Sequence, residues 1–194
     1  MSPAGGRKGY GIMTERKPDT VSGSFSAKET AYLGMMLAFA LILGYAESLL
    51  PFSFGIPGIK LGLPNLAVVL LLYRSGVRRA FWIDLLRILL NGFLFGNLYG
   101  ILYSLAGGLL SFLVMAAAKE TERFRFGLSV TGVSIAGGVF HNAGQIAVAA
   151  FVVETAGLYY YLPPLLAAGA GTGFLIGLVS ERILITTGKK RDGL

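Results

Sequence analysis

The chain of 194 residues is 54% hydrophobic and 14% charged, where a soluble domain carries roughly 25% charged residues, and its mean hydropathy is +0.67. Such a composition excludes an ordinary soluble domain and points to an all-α integral membrane protein, because apolar runs recur at about the 20-residue length that a spanning helix needs. The net charge of +7 gives no reason to expect nucleic acid, since the charges gather between the apolar runs, and the absence of cysteine removes disulfides, thiolate metal sites and redox thiols.

In chain order, residues 1–29 carry Arg7, Lys8, Arg16, Lys17 and Lys28 among many Gly, Ser and Thr and read as a flexible basic tail. The run from Ala31 to Leu50 is too long for the apolar region of a signal peptide and lacks a cleavage site after it, so a first span is expected over 30–50. Five more spans are expected at 61–73, 80–95, 97–118, 128–153 and 162–185. The second and third are short enough to tilt, kink or join a partly re-entrant segment that stays buried in protein. Between the first two spans, "PFSFGIPGIK" at 51–60 is rich in Pro and Gly yet apolar, and is expected to fold back over the bundle as a lid carrying Phe54 and Lys60. The membrane domain thus covers 30–185, followed by a basic tail over 186–194.

Fourteen of the seventeen basic residues fall in the N-terminal tail, the "YRSGVRRA" loop, the "AKETERFRFG" loop and the C-terminus. With six spans these four segments share one side, and the positive-inside rule makes it cytoplasmic, so both termini are expected there, in a cell inner membrane. Opposite lie Lys60 and the "GLYYYLPP" loop, whose Tyr159, Tyr160 and Tyr161 suit an interfacial belt. Arg182 can reach the cytoplasmic edge beside Glu181. Arg87 cannot.

In "WIDLLRILLNG", residues 82–92, Asp84, Arg87 and Asn91 are spaced by three and four, which places them on one helical face. Charges inside a span usually face protein and pair, so Asp84 and Arg87 are expected to form a structural ion pair. In "GGVFHNAGQIAVAAF", residues 137–151, the only histidine of the chain, His141, stands with Asn142 and Gln145. Such groups can join helices by hydrogen bonds, or they can line a polar cavity. The flanking Gly137, Gly138 and Gly144 suit a cavity with close backbone approach. Asn91 and Arg87 complete the candidate ligand-binding set. Glu47 and Glu154, near the outer ends of their spans, read as interfacial. The "GAGTG" stretch, Gly169 to Gly173, lies inside an apolar span and reads as a helix-packing face and not as a nucleotide loop.

No G-x-x-x-x-G-K-[ST] occurs, so no P-loop is present. One histidine without cysteine does not make a zinc site. The aspartates are Asp19, Asp84 and Asp192, too few and too dispersed for the paired clusters that hold magnesium on a diphosphate. No catalytic residue, metal or cofactor is therefore assigned.

At "GIPGIKLGLPNLAVVLLLY", "LLRILLNGFLFG", "YSLAGGLLSFLVM" and "HNAGQ" the chain resembles the bacterial membrane family labelled both Gx transporter and heptaprenyl diphosphate synthase component I, over about residues 30–185. That family in turn resembles the substrate-binding S components of energy-coupling factor transporters. The resemblance implies six helices with both ends cytoplasmic, capture of a small ligand from the outer face, and an ATPase pair with a coupling membrane subunit as partners. The docking face on the first helix, Gly34, Ala38 and Ala40, Gly44, Ser48, is a loose version of that of S components. The second label implies instead a non-catalytic membrane component beside a soluble prenyl synthase in making the menaquinone side chain. Transport and accessory readings therefore stand side by side.

Overall fold

A computed structural model of the chain describes residues 26–49, 62–121 and 127–188. The lid segment with Phe54 and Lys60, both basic tails beyond these limits, and Arg123 and Arg125 lie outside the described residues. Six α-helices follow in order: α1 (Ala27–Leu49), α2 (Asn65–Arg74), α3 (Val77–Phe95), α4 (Leu98–Glu120), α5 (Val130–Val152) and α6 (Leu162–Thr186), with a 3₁₀ turn over Ala156–Tyr161 before α6. Among the described residues there is no strand. The protein is an all-helical membrane bundle. α1, α4, α5, and α6 with its preceding turn are each long and apolar enough to cross a bilayer.

Local chemistry sets the boundaries. Asn97 caps α4 by accepting from the Gly100 amide at 2.7 Å, and Ser129 caps α5 by accepting from Gly132 at 3.1 Å. Pro163 and Pro164 open α6, where a missing N–H costs nothing. Gly76, at φ 86°, makes the tight passage from α2 to α3.

The second span differs from the expected 61–73. Its helix begins at Asn65, after Gly62 in the left-handed region and Pro64 at the cap position, because proline cannot stand inside a helix without losing a hydrogen bond. Ten residues rise about 15 Å, half of the roughly 30 Å hydrocarbon core. α2 is apolar on every side and enclosed, with Ala67, Val69, Leu71 and Leu72 fully buried. Such a helix needs a coat of protein all round, which α1, α3 and α6 supply. α3 reaches 19 residues by starting at Val77 and taking in Arg78 and Arg79.

α5 lies between α4 and α6, its most extensive partners. Glycines allow the approach. A side chain on Gly173 would lie 2.6 Å from the Ser134 carbonyl oxygen, and one on Gly144 would lie 2.8 Å from that of Ala106. "GAGTG" is therefore a packing face against α5. The surface left over is apolar, including Met35, Ile42, Leu113, Phe174 and Leu175, as lipid contact requires.

The basic residues at one end of the bundle also fasten helices. Lys119 Nζ donates to Leu72 O at 2.7 Å over the Tyr73 ring, Arg74 Nη2 donates to Thr187 O at 2.9 Å, and Arg79 pairs with Glu29. By the positive-inside rule this end is expected to be the cytoplasmic one. A cysteine placed at exposed Arg78 should therefore be shielded from an impermeant thiol reagent in intact cells, while one at exposed Tyr160 should label. Equal labelling from outside at both positions would reverse the topology.

Candidate functional site

The polar residues of α3, α5 and the start of α2 meet inside the bundle. Arg87 follows the first residue of α3 by ten positions, about 15 Å of rise, and so reaches the level at which α2 begins. Its Nε donates to Asp84 Oδ1 at 2.7 Å and its Nη2 to Asn65 Oδ1 at 2.9 Å, with a 2.7 Å contact from Nη2 to the same Asp84 oxygen. Arg87, Asp84 and Asn65 are all buried. The guanidinium thus joins α3 to the half-length helix while neutralising a carboxylate on its own face, the arrangement that a buried charge requires.

Beside Arg87, on the side of Asn91, lies a cavity of about 10 Å³, room for about one water molecule. Its walls come from four helices and the turn before α2: Glu47 and Gly44 of α1, Gly62 and Pro64, Arg87, Ile88 and Asn91 of α3, Ser104 of α4 and His141 of α5. The Glu47 carboxylate accepts from the Gly62 amide at 2.5 Å and so pins the turn that starts α2. His141 stands between that turn and α4: a side chain on Gly62 would lie 3.5 Å from its Cδ2, and one on Gly107 would lie 3.3 Å from its Nδ1. Gly44 faces the Asn91 amide so closely that a methyl group there would overlap it. Among the described residues, Asn91 Oδ1 is buried without a hydrogen-bond partner.

Of the residues expected to bind a ligand, Arg87, Asn91 and His141 line this cavity. Asn142 and Gln145 do not. Asn142 turns to α6 and donates from Nδ2 to Leu165 O at 2.6 Å, and Gln145 is fully buried against Gly107 of α4. The reason is angular: one residue along a helix is a rotation of about 100°, so His141 and Asn142 look at different neighbours.

Two members of the site were not legible as such in the sequence. Glu47 is buried against protein at 7% exposure. It shares a face with Met36, Ala40 and Gly44, the buried residues of α1, and that spacing of four, four and three was the available signal. Asn65 gave none, because its role follows only from α2 starting level with Arg87 of α3. Glu154 is exposed.

Among the described residues no three of His, Cys, Asp or Glu converge as a metal donor set, and Asp84, the one aspartate described, is engaged by Arg87. A family model described as heptaprenyl diphosphate synthase component I matches residues 36–183. No curated protein and no solved structure matches the chain.

Proposed function

Since the chain belongs to the heptaprenyl diphosphate synthase component I family, we propose that it is the membrane component of a prenyl diphosphate-forming system and makes no bond itself. The family match carries this reading, and the residues support the division of labour. Holding a diphosphate through magnesium takes several converging carboxylates, and the chain has three dispersed aspartates. The catalytic acids are then those of a soluble partner component, and this chain contributes a bilayer anchor with a polar interior site. Co-expression with a soluble, aspartate-rich prenyl synthase from the same cell tests it. The two should co-purify in mild detergent, and the synthase should make its long-chain product faster with this chain than without it. A synthase that ignores the chain in both measurements would refute the reading.

One observation favours a second reading, uptake. α2 is a ten-residue helix that begins at a polar cavity inside the bundle, and irregular backbone at membrane depth is tolerated only where it is buried in protein or lines a cavity. Broken helices of this kind mark substrate sites in transporters. On this reading the ligand enters from the outer side, and an ATPase pair with a coupling membrane subunit supplies energy. Co-purification with those subunits, and not with a synthase, would select it.

The two readings share the cavity, and the geometry separates its members. Asn91→Ala and His141→Ala are expected to weaken ligand binding by about 1–3 kcal/mol, roughly five- to over a hundredfold. Asn142→Ala is expected to lower the melting temperature through the lost bond to Leu165 and leave affinity unchanged. Isothermal titration in detergent beside a thermal melt distinguishes these, and loss of affinity only in Asn142→Ala would place the ligand between α5 and α6 instead.

A further inference from the structure

We infer that the seam between the C-terminal halves of α1 and α3 is a lateral entrance, through which a long-chain alcohol dissolved in the bilayer puts its hydroxyl into the cavity beside Asn91. This rests on the reading of that cavity as a ligand site and differs from entry out of water. α1 buries Met36, Ala40, Gly44 and Glu47, a single strip, and the rest of the helix is exposed or half-buried. Where the strip meets α3 it offers no side chain: Gly44 lies so close to the Asn91 amide that a methyl there would overlap it. One turn farther along α3, the Tyr45 and Phe95 rings close the seam, with centroids 5.0 Å apart. Both rings are exposed, as are Ile42, Leu49 and Leu94 on the same stretch, so the approach to the seam is apolar.

Both walls of the seam are α-helix, with their N–H and C=O groups bonded internally, so parting them exposes no backbone polar group to lipid. Glu47 is bonded to the Gly62 amide, and Arg87 to Asp84 and Asn65. These contacts tie α1 to the turn before α2, and α3 to α2, and hold neither helix to the other. The ion pair of Arg79 with Glu29 joins the N-terminal ends of α1 and α3, which makes that end the pivot. Behind the seam the cavity of about 10 Å³ has room for one water-sized group, so a hydroxyl fits and a diphosphate does not. Asn91, 4% exposed, lines it, and among the described residues its Oδ1 has no hydrogen-bond partner. Ser104 lines it as well. A hydroxyl donates to the amide oxygen and accepts from the serine, and so supplies the bond that a buried acceptor needs. The alkyl chain then lies in the parted seam, between the two rings and the lipid.

The chain has no cysteine, so Ser104→Cys places a single thiol in the cavity. The full chain in phosphatidylcholine vesicles is treated with dodecyl methanethiosulfonate, which dissolves in the bilayer, or with sulfonatoethyl methanethiosulfonate, which stays in water, and modification is timed by intact-protein mass spectrometry. The lipid-soluble reagent is expected to react faster. Adding Tyr45→Ala, or Phe95→Ala where the first folds poorly, should quicken that reaction about three- to tenfold, the loss of one aromatic contact, and leave the rate from water unchanged. Hexadecanol in the bilayer should slow the reaction, and hexadecane should not. Faster reaction from water, or a rate indifferent to both rings, would overturn the entrance while leaving the cavity a ligand site. Reaction through the seam that hexadecanol does not slow would overturn the alcohol, and a thiol that neither reagent reaches would overturn both the entrance and the ligand site.

Discussion

Arg87→Ala is expected to cost about 3–5 kcal/mol of stability, the penalty for leaving one member of a buried ion pair without its partner. The size of the effect comes from Asp84, 2% exposed, which would keep its carboxylate in the bundle interior after losing contacts of 2.7 Å. Asn65 would lose the donor that ties the start of α2 to α3 as well. Replacing both, Asp84→Leu with Arg87→Met, removes the orphan charge and leaves apolar surface of similar volume, so the double variant should melt well above the single one despite carrying more changes. Thermal unfolding of the three proteins in one detergent measures this. A double variant that melts no higher than Arg87→Ala would show that the two charges do not support each other.

The second large effect belongs to the contact between α5 and α6. A side chain on Gly138 runs into the Gly169 carbonyl oxygen, and one on Gly169 runs into the Gly138 carbonyl oxygen. The obstacle is backbone in both cases and cannot rotate aside, so the helices must separate. Overpacking costs about 1–3 kcal/mol for modest insertions and more for bulkier ones, and separation also stretches the 2.6 Å bond from Asn142 to Leu165 O. Gly138→Val should therefore lower the melting temperature by about 10 °C or prevent folding. Gly171→Ala is the control, since nothing lies within 4 Å of a side chain there. It should be neutral or raise stability by up to about 1 kcal/mol through helix propensity. Equal behaviour of the two variants would contradict the close approach of the helices.

Much of this architecture is written in the local pattern of the chain. Apolar run length and the charge bias give the number and order of helices. The three-and-four spacing of Asp84, Arg87 and Asn91 gives their shared face, and the ion pair is formed as that spacing requires. "GAGTG" packs α6 on α5, as small residues in an apolar run suggest. What the pattern does not hold is depth and partner. Pro64 marks where α2 can begin, yet only the contact between Arg87 and Asn65, 22 residues apart, shows that this beginning lies level with the middle of α3. Glu47 looks like an end-of-span carboxylate until the Gly62 amide is seen to face it. Adjacent residues of "HNAGQ" diverge, His141 to the cavity and Asn142 to α6, because periodicity says which residues share a face but not which neighbour that face meets.

Native mass spectrometry of the protein released from mild detergent, compared between wild type, Asn91→Leu and Asn142→Ala, tests most directly whether the polar site at the start of α2 is a binding site. Wild type and Asn142→Ala are expected to carry the same bound mass, and Asn91→Leu to have lost it while remaining folded. A bare wild-type chain from every membrane preparation, or the same bound mass on Asn91→Leu, would contradict a ligand at that site and leave its polar residues as bonds between helices.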